Sequence, residues 1–179
     1  MVFGYEPHPP YNGPYNDLYD PLSIPDGEIF LEKPDETCSL FNRARSDYYL
    51  GGSEHDLNTA DDWRSLKARY YGNVTLLDEG VGKILQGLKD FGFEDDTAVV
   101  FTSDHGDSLG DRGMLNKRSF YEEVSRVPML IKVPWINRNQ VKMGGNFGHV
   151  DIVPTILDIL GIEIPGHLQG SSVLQDLMT

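Results

Sequence analysis

The chain has 179 residues and a formal net charge of −13, with a pI of about 4.6. That length suffices for one domain with a real core. So acidic a surface excludes nucleic acid and anionic membrane as partners. No run approaches the roughly 18 apolar residues of a membrane span. A single cysteine, Cys38, excludes an intramolecular disulfide and fits a reducing compartment. Met1-Val2-Phe3-Gly4-Tyr5 is no charged-then-apolar leader, so the expectation is a cytoplasmic protein.

Residues 1–58 carry most of the prolines and tyrosines. Pro7-His8-Pro9-Pro10-Tyr11-Asn12-Gly13-Pro14 cannot be regular helix, because proline removes donors and biases its predecessor to extended geometry. Asp20-Pro21, Ile24-Pro25 and Lys33-Pro34 continue the pattern, and Tyr5, Tyr11, Tyr15, Tyr19, Tyr48 and Tyr49 punctuate it. This composition predicts an extended segment laid against a body, with the body in residues 59–179. From Thr59 to Phe91, apolar residues recur at Trp63, Leu66, Tyr70, Val74, Leu77, Val81, Ile84 and Leu88, one face of a helix. Thr59 suits its cap, Asp61 and Asp62 suit its first turn, and Gly92 suits its stop. Its expected role is to cover one face of a sheet.

Ala98-Val99-Val100-Phe101-Thr102 is an uncharged run that predicts a strand buried on both faces, as in a parallel sheet. It ends at Ser103-Asp104-His105-Gly106, and ligands of α/β sheets bind at strand ends. A carboxylate and an imidazole placed there can address one cation. A second strand is predicted at Met129–Val133. Val150–Leu160 reads as a helix, with Pro154 in its first turn and Gly161 after it. Strands alternating with helices give an α/β fold with helices on the sheet faces.

In order, Thr102-Ser103-Asp104-His105-Gly106-Asp107, Gly113, Lys117-Arg118-Ser119-Phe120-Tyr121-Glu122-Glu123, Arg126-Val127-Pro128 and Val150-Asp151-Ile152-Val153-Pro154 resemble the carboxyl-terminal part of the sulfatase catalytic domain, in the alkaline phosphatase superfamily. Leu168-Gln169-Gly170 and the loop around Pro7-His8-Pro9-Pro10-Tyr11 fit the same pattern. The resemblance implies a partial alkaline-phosphatase-like sheet and a sulfuric ester hydrolase. It also implies roles: Asp104 and His105 as metal ligands, Lys117 as the lysine that contacts the sulfate group, and His8 as a group meeting a sulfate oxygen or protonating the leaving group. A divalent cation follows, Ca²⁺ first on family grounds and Mn²⁺ next because imidazole suits it better.

The family's nucleophile is a formylglycine made from the cysteine of C-x-P-S-R. Here Cys38-Ser39-Leu40-Phe41-Asn42-Arg43 lacks the proline and follows the histidine loop rather than preceding it. The resemblance therefore implies roughly the second half of a sulfatase-like domain, needing an amino-terminal half as partner and leaving apolar edges at which copies could associate. A phosphonate monoester hydrolase or phosphodiesterase of the same superfamily is the alternative enzyme. A non-catalytic module on the same scaffold is the alternative of another class.

Overall fold

A computed structural model describes residues 8–52, 55–136, 142–145 and 147–178; Tyr5 of the Pro/Tyr-rich segment and Pro7 of the histidine loop lie outside them. The described chain divides into two compact units. One comprises the residues up to Gln86 together with His105–Val127, the other Gly87–Asp104 and the chain from Pro128 onward. No helix among the described residues is long and apolar enough to cross a membrane.

The first unit is built on helix α1, Leu40–Leu50, and on helix α2, Ala60–Asp90, as far as Gln86. Helix α2 starts where the spacing predicts. Thr59 Oγ1 accepts from the Asp62 N–H, and the Asp62 carboxylate accepts in return from the Thr59 N–H at 2.7 Å, a reciprocal cap. Trp63, Leu66 and Ala68 are buried on it, and the core of this unit joins Tyr11, Tyr49, Leu57, Trp63, Leu66 and Leu115. The helix thus holds the Pro/Tyr-rich segment, whereas the sequence suggested a cover for the sheet. Tyr15 donates to Glu79, Tyr19 shares a hydrogen bond with Thr75, and Asn73 donates to the Tyr11 carbonyl. Further along the predicted stripe Val74 and Ile84 are 50% and 55% exposed, so the apolar face outruns what this unit buries.

The segment expected to be extended contains α1. Ser39 caps it, its side chain accepting from the Asn42 N–H. Its apolar residues are too unevenly spaced to announce a face, since Leu40 and Phe41 are exposed while Ser46 and Tyr49 are buried. A short helix α3, Glu122–Ser125, closes this unit's second segment.

The second unit holds strands β1, Val99–Thr102, and β2, Met129–Lys132. They pair antiparallel, Val99 opposite Lys132 and Thr102 opposite Met129, where the apolar run suggested a parallel sheet. An unbroken apolar run reports burial, not strand direction, and β1 is only half-buried along its length. Val100, Met129 and Ile131 face Ile152, Thr155 and Ile156 across a small gap, so the cover of the sheet is helix α4, Ile152–Ile159. Val133, Ile159 and Leu174, the last from helix α5, Leu174–Leu177, form the core of this unit. Helices on a short sheet make the fold α/β, as the sequence indicates. A β-carbon on Gly170 would stand 2.0 Å from the Val150 carbonyl oxygen, which explains the glycine there.

Candidate active site

Strand β1 ends at Thr102, and Ser103-Asp104-His105-Gly106 follow directly. Asp104 closes the second unit's first segment, and the Ser103 carbonyl is held in that unit by the His149 ring at 2.8 Å. His149 thereby holds the strand end. His105 opens the return to the first unit, its Nδ1 donating to the Gly106 carbonyl at 2.8 Å. Tying one ring nitrogen to a carbonyl is how ligating histidines are oriented. Gly106 cannot carry a side chain: its N–H donates to the Val124 carbonyl, and a β-carbon would lie 2.0 Å from the Glu123 oxygen.

From Asp107 to Arg118 the chain forms a loop dense in internal bonds. Asp107 Oδ1 accepts from the N–H groups of Leu109 and Asn116, both at 3.0 Å. The Asn116 carbonyl accepts from both the N–H and the hydroxyl of Ser108. Lys117 follows, half-buried, between Asn116 and Arg118, whose φ angles of 64° and 77° are left-handed. Arg45 of α1 braces this corner, its guanidinium donating to the Leu115 carbonyl at 2.8 Å and to the Arg118 carbonyl at 3.4 Å. His8 is exposed at the start of a turn closed by the Tyr11 N–H donating to its carbonyl at 2.9 Å.

His8, His105 and Lys117 thus belong to the first unit and Asp104 to the second. The turn of His8 meets the loop of Lys117 through one bond that sequence reasoning missed: Tyr11 donates its hydroxyl to Asp107 Oδ2 at 2.5 Å, across 96 positions. Asp107 lay inside the motif, but nothing local announces its partner. Arg45 was missed for the same reason. Among the described residues no three His, Cys, Asp or Glu side chains gather as a metal site, so Asp104 and His105 can supply two donors at most. Cys38, half-buried, accepts a hydrogen bond from Tyr121 at 3.2 Å.

The family model for sulfatases matches residues 5–162. The chain belongs to the sulfatase family. Among curated relatives, the multifunctional alkaline phosphatase superfamily protein PehA of Trinickia caryophylli is 34% identical over 95% of this chain and 35% of its own length. An arylsulfatase of Clostridium perfringens (strain 13 / Type A) is 34% identical over 96% of this chain and 35% of its own. The phosphonate monoester hydrolase SpPMH from Silicibacter pomeroyi superposes with a TM-score of 0.81 at 31% identity, covering 96% of this chain and 35% of that one. The chain therefore spans about a third of the length of the curated relatives it matches. Sulfatases of this superfamily work with a divalent cation and a formylglycine.

Proposed function

We propose that this chain supplies His8, Lys117, Asp104 and His105 to a hydrolase centre for singly charged anionic esters, sulfate esters first. The observation that carries the reading is the sulfatase match, which spans all four residues. A sulfate ester bears one negative charge on a tetrahedral centre. Lys117 offers one fixed positive charge to oppose it and to steady the departing oxygen. His8 has the right chemistry to hand that oxygen a proton. Asp104 and His105 would hold the divalent cation, which supplies Lewis-acid polarisation of the ester oxygens when bound. Ca²⁺ is the first choice on family grounds and Mn²⁺ the second, because an imidazole donor is unusual for a hard cation. The nucleophile comes from a C-x-P-S-R segment that these 179 residues do not contain.

The second reading is a phosphonate monoester hydrolase. Two such enzymes superpose on this chain with TM-scores of 0.81 and 0.74, and a phosphonate monoester is also a singly charged tetrahedral anion. The test pairs this chain with a matured C-x-P-S-R segment in one protein and compares kcat/KM for an aryl sulfate and an aryl phosphonate monoester. Lys117→Ala is expected to lower kcat/KM about a hundredfold or more with Tm unchanged. A protein so completed that binds the anions but turns over neither ester would return the chain to the class of binding modules.

A further inference from the structure

We propose that Asp107 is a positioning residue, tying the turn of His8 to the loop of Lys117 so that both groups address the same anion. The proposal rests on the reading of His8 and Lys117 given above. Its basis is one carboxylate with a partner on each side. Oδ2 accepts from Tyr11, and Oδ1 accepts from Leu109 and from Asn116, the residue before Lys117.

Each end of this bridge is stiff. Tyr11 is 1% exposed, its ring meets Tyr70 edge-on at 5.2 Å, its carbonyl is held by Asn73, and its N–H closes the turn onto His8. On the other side Asn116 and Arg118 are left-handed and Arg45 clamps the carbonyls around them. A displacement of the carboxylate would therefore pass to both turns. Burial, reinforced by the carboxylate of Asp107, pushes the Tyr11 hydroxyl well above its ordinary titration range. The hydroxyl thus stays a donor at any pH at which the protein would act. Three hydrogen bonds, one from Tyr11 and two from the Lys117 loop, therefore converge on one half-buried carboxylate.

The experiment uses the 179-residue chain with inorganic sulfate as probe, following the His8 imidazole and Lys117 side-chain signals by NMR. Wild type is expected to show both groups responding with one Kd, and His8→Ala and Lys117→Ala to weaken that binding. Tyr11→Phe deletes a single hydroxyl and leaves the ring in the core; it is expected to raise the sulfate Kd about tenfold. Asp107→Asn retains an oxygen for the two N–H groups and gains an amide to donate to Tyr11, so it is expected to bind within about threefold of wild type. Asp107→Ala is expected to lose as much as Tyr11→Phe. The near-ultraviolet signal of buried Trp63 reports the fold, and if Asp107→Ala unfolds, Tyr11→Phe decides. Sulfate binding by a folded Tyr11→Phe equal to wild type would overturn the proposal. So would a Asp107→Asn loss as large as that of Tyr11→Phe, since charge and not geometry would then be acting. A wild-type chain whose sulfate response is untouched by His8→Ala and Lys117→Ala would instead sink the proposed function itself, and the bridge with it.

Discussion

At Asp151 one carboxylate closes a turn and holds a distant segment. It accepts from the Gly148 N–H at 2.9 Å and from the Ser171 N–H at 2.8 Å. These bonds, Ser171 first and Gly148 second, hold its pKa below the ordinary carboxylate value. The sign follows directly. A carboxyl whose folded pKa is depressed adds stability that is complete above its unfolded pKa of about 3.9 and disappears as pH falls through the lower folded value. Asp151→Asn is expected to lower Tm near neutral pH, and the gap from wild type should close below about pH 4. Thermal melts of both proteins across that range check it, and a gap that persists unchanged in acid would mean the carboxylate's charge is not what the two N–H groups recognise. The same residue also anchors α4, since its carbonyl accepts from the Thr155 hydroxyl at 2.7 Å.

At the scale of elements, α2 is the support on which the Pro/Tyr-rich segment lies. Its 31 residues span about 46 Å at 1.5 Å per residue. Thr59→Ala removes the side-chain half of its reciprocal cap and is expected to cost about 1 kcal/mol, read as a lower urea midpoint with unchanged m-value. The sequence announced α2 within a residue or so at each end, because its stripe is long and capped: residues 59–91 were expected and Ala60–Asp90 observed. Strands β1 and β2 were equally legible from their apolar runs. Their antiparallel pairing was not, because a run of apolar residues carries no sign of strand direction. Helix α1 was hidden by its irregular polarity and by the prolines around it. The motif around Asp107 was visible in the sequence, while the bond that joins it to Tyr11 was not, since local pattern cannot reach across 96 positions.

For the whole molecule the decisive fact is proportion. The chain covers about a third of its curated relatives' length and contains no C-x-P-S-R segment. With the proposed donors limited to Asp104 and His105, and with no C-x-P-S-R cysteine in these residues, both covalent attack and firm metal binding are left unsupplied under the proposed reading. The 179-residue chain by itself is expected to hydrolyse no aryl sulfate at an enzymatic rate, with or without Ca²⁺ or Mn²⁺. Metal-dependent turnover by the pure chain that survives Cys38→Ala would reveal another nucleophile and undo the half-site reading. Apolar side chains such as Leu40, Val74, Ile84 and Leu130 are more than a third exposed, so concentration-dependent association is expected in the same preparations.

The two units are also interleaved along the chain, which leaves the first after Gln86, re-enters it at His105 and leaves it again after Val127. Neither unit is a continuous stretch, and the order of synthesis therefore matters. A ribosome adding about 5 to 20 residues per second needs roughly 5 to 20 s to travel from Tyr11 to Asp107, and in that interval the tyrosine hydroxyl has no carboxylate to meet. The nascent Pro/Tyr-rich segment must wait, open to proteases and holding chaperones, until the loop that fixes it has emerged from the exit tunnel.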